Sequence, residues 1–476
     1  MDILSCTAVE LADAIRTGRT TAIEATEAVL EQIAKKESEY HCYITIDGKK
    51  ALKRAAKVQK QIDTNALMGP LAGVPFSIKD NLCTKGMLTS CASKALKSFI
   101  PAYNAQVVDN LEKAGVIIIG KTNMDEFAMG NTTESSFYGV TRNPHHIKYN
   151  PGGSSGGAAA AVAARECFGA LGTDTGGSIR QPASHCGVVG LKPTYGMVSN
   201  EGLLGCAYSL DQIGPMTRDV TDCATVLEIL AADDKTSEPA RRHTDFTTGL
   251  VPNVKGMRIG IPQEFLVDGL DKEVYTAVMN VAGVLQKKGA YVEECSLKEV
   301  KYAVPAYYVI AAMEISSYLE HFEPVQGILH MDKEEKIHQP YKKINLEEMS
   351  KEASRRLKFG TLVLHSGYYD EYYLKALQAR KLIKEGFTRA FAQYDIILGP
   401  VAPSTAVMLG ESHTDSVKRY LNDIYTTPVN LAGLPAMSIP CGWDKNRLPI
   451  GVQFIGAPFQ EKKLIQAAYT YECACI

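Results

Sequence analysis

The sequence of 476 residues holds no apolar run approaching the ~20 residues needed to span a bilayer. Its start, Met1-Asp2-Ile3-Leu4-Ser5-Cys6, has neither the basic opening nor the apolar stretch of an export signal. A cytoplasmic protein with no membrane partner is therefore expected. A Cys-x-x-Cys pair is also absent: twelve cysteines are scattered along the chain, and only Cys473 and Cys475 come close. In that setting reduced thiols are expected rather than disulfides or a zinc site. Ten histidines form no His-Glu-x-x-His or other ligand spacing, and His145-His146 reads as a loop pair, so no metal is expected. There is no dense block of Lys and Arg, and the net charge is −2, so a large nucleic-acid footprint would have to be supplied by another protein. Internal repeats and low-complexity segments are missing too.

What is present is ordinary globular composition, 45% hydrophobic and 22% charged. Thr7-Ala8-Val9-Glu10 and Thr21-Ala22-Ile23-Glu24 are capping boxes and predict an N-terminal helical hairpin over about 7–36. A third helix is expected from about Gly48 to Ile62, and further ones carrying Val107, Val108 and Leu111, from Val220 to about Ala231, and from Lys272 to Lys287. Val116-Ile117-Ile118-Ile119, Val188 to Leu191, Met257 to Ile261, Gly289 to Cys295 and Ile396 to Pro400 read as strands. Met437 to Pro440 and Gly451 to Ile455 read as a hairpin around a turn at Asp444 to Arg447. Asp233 to Lys255 reads as loop, and the charged stretch from Met331 to Arg356 as helical or solvated. Alternating strands and helices predict an α/β fold, a mixed central β-sheet covered by helices on both faces.

Two glycine-rich, serine-bearing turns dominate the sequence: Asn150-Pro151-Gly152-Gly153-Ser154-Ser155-Gly156-Gly157 and Gly172-Thr173-Asp174-Thr175-Gly176-Gly177-Ser178-Ile179-Arg180. They flank an alanine-rich helix starting near Ser155. Dense glycine lets consecutive N–H groups converge, so each turn is a candidate anion or oxyanion nest. A phosphate loop would need Lys and then Ser or Thr after its second glycine, but Gly157 runs into Ala158. Gly152 to Gly156 also matches the Gly-x-Ser-x-Gly elbow of triad hydrolases, which requires a strand leading into it; Pro144 to Pro151 reads as loop instead. The third chemistry is a serine nucleophile at Ser178 served by a lysine base. A lysine stands at the end of the short strand in Gly73-Val74-Pro75-Phe76-Ser77-Ile78-Lys79-Asp80-Asn81.

Lys79, the Gly-Gly-Ser-Ser-Gly-Gly turn with Ser154, and Asp-Thr-Gly-Gly-Ser-Ile-Arg with Ser178 together resemble the amidase signature family. Gly120 to Gly130, Cys186 to Gly196 and Thr426 to Pro435 extend the resemblance over nearly the whole chain, towards the glutamine-hydrolysing branch of tRNA-dependent amidotransferases. The resemblance implies one domain over 1–476 and a catalytic unit of Ser178, Ser154 beside a cis peptide, and Lys79. Burial would favour the neutral amine of Lys79, whose free pKa is near ~10.4. Ser154 would relay the proton, and the backbone N–H groups of Thr175, Gly176, Gly177 and Ser178 would form the oxyanion hole. For substrate the resemblance points to Met129, Tyr308, Arg356 and Asp423, Arg356 meeting the α-carboxylate of glutamine and Asp423 its α-ammonium. The neighbours Tyr307 and Arg355 leave the register open by one. Arg180 and Asp174 read as a brace of the turn more readily than as catalytic groups.

By the same resemblance this chain carries no cofactor; ATP and Mg would be used by a partner. B-type and C-type amidotransferase subunits are the implied partners, with tRNA reached only through them. The chain departs from that branch at Tyr195-Gly196-Met197-Val198-Ser199-Asn200-Glu201-Gly202, where two arginines are lost, at Ser316 to Glu323, and in stopping at Ile476 soon after its last helix. A stand-alone amidase acting on another small carboxamide, and an inactive scaffold, are the alternative expectations.

Overall fold

The computed structural model describes residues 1–232, 244–266, 269–321, 349–365, 368–411 and 420–475. Eleven strands form one mixed sheet: β1 (Tyr43–Ile46), β2 (Pro75–Lys79), β3 (Ile117–Thr122), β4 (Gly169–Asp174), β5 (Val189–Lys192), β6 (Gln212–Thr217), β7 (Arg258–Pro262), β8 (Tyr291–Cys295), β9 (Ile396–Pro400), β10 (Ala436–Trp443) and β11 (Pro449–Gly456). Their spatial order is β1-β3-β2-β4-β6-β5-β10-β11-β9-β7-β8. β2 runs parallel to both β3 and β4, whereas β4 pairs antiparallel with β6.

Every residue of β2, β3, β4, β5, β6, β9 and β11 is buried. Successive side chains of a strand point to opposite faces, so both faces of the sheet are covered. The covering elements include helices Gly156–Ala163 and Arg180–Cys186, which pack on each other and on the central strands. Helices Val220–Ala231, Lys272–Lys287 and Glu461–Cys475 form another packed group against the sheet. One large apolar core follows the sheet, and two smaller clusters lie under helices Ala303–His321 and Lys351–His365.

Both capping boxes form: Thr7 and Thr21 accept from the backbone N–H of Glu10 and Glu24, whose side chains bond back. The second helix runs to Tyr40, beyond the expected end near Lys36, and stops where His41 turns left-handed at φ 54°. The expected hairpin is β10–β11, with a register shift between Pro440 and Gly442.

The sequence reading missed β1, β4 and β6. In β4 the segment Gly172-Thr173-Asp174, expected as part of a turn, is strand; the turn begins at Thr175. Its periodicity is silent because Gly169 to Asp174 is buried throughout. Residues 233–243 of the expected loop, Phe322 and Glu323, and residues 331–348 of the charged stretch lie outside the described residues. The end of that stretch enters helix Lys351–His365.

Two glycines test this packing. A Cβ at Gly214 in β6 would strike the Leu191 carbonyl oxygen of neighbouring β5, whereas one at Gly283 in helix Lys272–Lys287 would meet nothing within 4 Å. Gly214→Ala should therefore destabilise the fold by about 1–3 kcal/mol or more. Gly283→Ala should stabilise it by up to about 1 kcal/mol. Thermal melts of the two variants should move in opposite directions.

Candidate active site

β2 delivers Lys79 to the interior. Its parallel neighbour β4 ends at Asp174, so the turn carrying Ser178 leaves the sheet beside the lysine. Lys79 is fully buried, and its Nζ lies 2.8 Å from Ser154 Oγ, 2.8 Å from Ser155 Oγ and 2.9 Å from Thr173 Oγ1. Burial pulls its pKa down to about 7, against the opposing charges of Asp125, Asp174 and Asp211. Near neutrality a large share of this lysine is therefore the free amine.

The hydroxyls around the amine have distinguishable duties. Ser155 Oγ donates to the Thr173 carbonyl at 3.1 Å, so it accepts from Lys79. Thr173 Oγ1 accepts a second hydrogen bond from the lysine and one from Asn81 Nδ2 at 3.2 Å. A neutral amine has two N–H bonds and one lone pair. With Ser155 and Thr173 taking the N–H bonds, the lone pair is left for the hydroxyl proton of Ser154.

The Gly153–Ser154 peptide is cis. The expectation of an anion nest in this first turn is corrected, because five of its amides, those of Gly152, Gly153, Ser155, Gly156 and Gly157, are already used. The N–H of Gly152 donates to Asn150 Oδ1, that of Gly153 to Gln181 Oε1, and that of Ser155 to the Ser178 carbonyl. The N–H of Gly156 donates to Thr133 Oγ1 and that of Gly157 to the Asn123 carbonyl. These bonds fix the backbone on both sides of Ser154 and tie it to the Ser178 turn. The Gly-x-Ser-x-Gly elbow is also excluded, since no strand enters it.

Ser178 is 7% exposed, in a turn held by Asp174. Asp174 accepts from the N–H of Gly177 at 2.8 Å and of Ile179 at 3.2 Å, and from Arg180 Nε at 3.0 Å. The N–H of Gly177, expected to face the substrate, thus turns to Asp174; the Thr175, Gly176 and Ser178 amides remain from the expected set. A Cβ at Gly177, whose φ is +136°, would collide with the Thr426 side chain, so both conformation and space require glycine. Thr175 Oγ1 donates to Asp211 Oδ1 at 2.6 Å, anchoring the start of the turn.

Arg180 is fully buried and binds Asp174, Gln453 Oε1, the Thr426 carbonyl and Asn430 Oδ1. Burial alone would push the Asp174 carboxyl up, but the Arg180 guanidinium holds it well below the usual carboxylate range. This pair braces the turn against β11 and helix Thr427–Ala432.

The residues expected at the substrate end fall into two groups. Tyr308 OH donates to Asp423 Oδ2 at 2.7 Å, and the Arg356 guanidinium lies 4.8 Å from the Tyr308 ring centroid. Tyr308 and Arg356 line a cavity of about 450 Å³ together with Arg355, Phe359 and Tyr420. Arg356 Nε donates to Glu352 Oε1 at 2.8 Å, while its buried Nη1 has no hydrogen-bond partner among the described residues. Burial pushes Asp423 up to about 6. Met129, by contrast, sits in the apolar cluster with Phe127, Ala353 and Leu357. Of the two register neighbours, Arg355 lines the same cavity and stacks on Tyr420, and Tyr307 packs where a Cβ on Gly176 would have to go.

Sequence reasoning missed Asn131, Thr173, Asp125, Asp211, Thr426 and Asn430, and named Tyr307 only as the register alternative to Tyr308. Asn131 Nδ2 bonds Asp423 at 3.2 Å, and Thr426 Oγ1 donates to the Gly176 carbonyl at 2.6 Å. Asn131 directly follows the quoted Gly120–Gly130 motif and Thr426 opens another, but only the fold shows their direction. Ser155 was visible as the second serine of its turn.

The family profile described as Amidase matches residues 24–465. The chain is 58% identical to the glutamyl-tRNA(Gln) amidotransferase A subunit from Lachnospira eligens, over 100% of this chain and 99% of the relative. It is 55% identical to the protein of the same name from Agathobacter rectalis, covering 99% and 94% respectively. The crystal structure of the glutamyl-tRNA(Gln) amidotransferase A subunit from Thermotoga maritima superposes with a TM-score of 0.79 at 37% identity, covering 98% of this chain and 94% of that one.

If Arg180 is a brace, removing it strands the buried Asp174 charge. Arg180→Leu should lower stability by about 3–5 kcal/mol. Chemical denaturation checks this; full stability with lost activity would instead make Arg180 a catalytic group.

Proposed function

The chain belongs to the amidase signature family, and from that membership and the site's geometry we propose that it hydrolyses the side-chain amide of glutamine to release ammonia. The observation that carries the chemistry is the 2.8 Å contact of a fully buried lysine nitrogen with Ser154 Oγ. The identity of the amide rests on the amidotransferase relatives, which match this chain from end to end.

In this reading Ser178 Oγ attacks the amide carbon as its proton passes to Ser154, and the Ser154 proton passes to Lys79. The carbonyl oxygen gains negative charge and is met by amides of the Thr175–Ser178 turn. Fixed donors of this kind commonly contribute a factor of ~100 to ~1000 each. The C–N bond then breaks, and the relay returns its proton to the leaving nitrogen, which departs as ammonia. A glutamyl ester on Ser178 remains, and water cleaves it to glutamate by the same relay in reverse.

Arg356 takes the α-carboxylate of glutamine with its unpartnered Nη1, and Asp423, held by Tyr308 and Asn131, takes the α-ammonium. The connection from Asp423 to Thr426, and from Tyr308 to Tyr307 against Gly176, joins this end to the reacting end. Met129 contributes apolar wall. The ammonia serves amidation of Glu-tRNA(Gln) or Asp-tRNA(Asn) in a complex with B-type and C-type subunits. The partner supplies the tRNA contacts and the ATP and Mg chemistry. This location of the work implies a cytoplasmic protein.

Glutaminase turnover of the purified chain should be low and should rise when a B-type subunit is added. Robust turnover of simple carboxamides by the chain alone, unaffected by such a partner, would favour a stand-alone amidase. Ser178→Ala should lower turnover on the order of 10⁴-fold or more while the protein still folds. An ester that still accumulates in this variant would move the nucleophile to Ser154.

Turnover should also rise with pH through about 7 as Lys79 loses its proton. Below that value the amine is charged and cannot accept a proton; above it the base is free. Lys79→Met and Lys79→Arg should both be nearly inactive, since a guanidinium stays protonated across the accessible range. An active Lys79→Arg enzyme would remove lysine from the base role.

A further inference from the structure

A second cluster of reactive side chains lies away from the Lys79 site. Glu37 stands in the last turn of helix Ala22–Tyr40, Cys42 immediately precedes β1, and Glu166 lies in the turn between helix Gly156–Ala163 and β4. One oxygen from each carboxylate and Cys42 Sγ all lie within 4.8 Å of one another. Glu37 and Cys42 are close in sequence, but Glu166 is not, so ligand spacing could not have shown the group.

Glu166 is the observation that asks for a ligand. It is fully buried, and neither carboxylate oxygen has an N–H or O–H donor among the described residues; the Cys42 thiol, a weak donor, faces it. A buried carboxylate without strong donors or a counter-charge is strongly disfavoured. The Glu166 backbone is held in place: its N–H donates to the Ala161 carbonyl at 2.8 Å, and its carbonyl accepts from Tyr43 OH at 3.0 Å. Glu37 is equally fixed, because its two oxygens accept from the N–H groups of Cys42 and Tyr43, each at 2.8 Å. Each of those oxygens keeps a lone pair. Lys36, the neighbouring cation, lies over the Tyr40 ring, 5.8 Å from its centroid.

We propose that Glu37, Cys42 and Glu166 bind a divalent transition-metal ion of the zinc type. A sulfur and two oxygens suit zinc rather than magnesium or calcium, which prefer all-oxygen shells of six or more. Zinc bonds of about 2.0–2.3 Å require the three ligand atoms to draw together by roughly an ångström, and water takes the fourth position. Binding releases the thiol proton of Cys42 and any proton held on the carboxylates. The role is structural. Tyr43 OH also bonds Ser77 Oγ at 2.7 Å, and Ser77 lies two residues before Lys79 on β2. The ion would thus tie the N-terminal helix pair, β1 and the lead-in to β4 to the strand that carries the base.

Cobalt titration of the full chain, stripped with a chelator, tests this. Co²⁺ should produce a thiolate-to-metal charge-transfer band that saturates at one ion per chain and vanishes on adding Zn²⁺. The band should be lost in Cys42→Ser, weaken in Glu166→Gln, a near-isosteric change, and persist when Cys473 and Cys475 are both replaced by serine. Zinc should raise the melting temperature of the stripped wild type. No band in the wild type, a band that needs Cys473 and Cys475 instead, or a Glu166→Gln variant that binds cobalt unchanged would overturn the proposal and leave Glu166 as a protonated carboxylic acid.

Discussion

An amino group removed from water must find oxygen atoms around it, and the arrangement at the end of β2 is the solution this chain adopts. Lys79 Nζ is encircled by hydroxyls from Ser154, Ser155 and Thr173. Three segments must therefore converge: β2, which supplies the lysine, the first glycine turn, and β4 with the turn that follows it. The parallel pairing of β2 with β4 brings the lysine to Thr173. Burial also tilts the amine towards its neutral form, so the same packing that holds the segments together leaves it able to take up a proton. Buried acids moderate the effect, with Asp125, Asp174 and Asp211 all opposing the drop.

The two glycine turns look alike in sequence but divide the labour. In the first, the backbone amides bond to Asn150, Gln181, Ser178, Thr133 and Asn123, which makes it a rigid mount for one hydroxyl. In the second, Asp174 gathers the amides of Gly177 and Ile179 with Arg180, and the amides of Thr175, Gly176 and Ser178 are left out of that bonding. Glycine density is therefore not itself a sign of anion binding. The partners of the N–H groups decide it.

Much of this was legible before the structure. Capping boxes, the β10–β11 hairpin and the helix Val220–Ala231 follow from local chemistry that sequence displays directly. The three residues Lys79, Ser154 and Ser178 stood out through their motifs. β4 and β6 were hidden because strands buried on both faces carry no alternation, and β4 contains two glycines besides. The bracing partners Gln453 and Asn430, and the link from Tyr307 to Gly176, arise from pairings between segments distant in sequence. No local pattern encodes such pairings. The group of Glu37, Cys42 and Glu166 was invisible for the same reason.

Whether Lys79 is a neutral amine under working conditions decides the mechanism, and its side-chain titration tests this most directly. NMR of the chain labelled with ¹³C at lysine Cε, with the Lys79 signal assigned by its absence in Lys79→Met, would follow the proton itself. The expected midpoint is near pH 7, where burial pulls this group. A midpoint close to the ordinary lysine value of 10.5 would contradict the base role, because Lys79 would then be a cation throughout turnover and the proton of Ser154 would have nowhere to go.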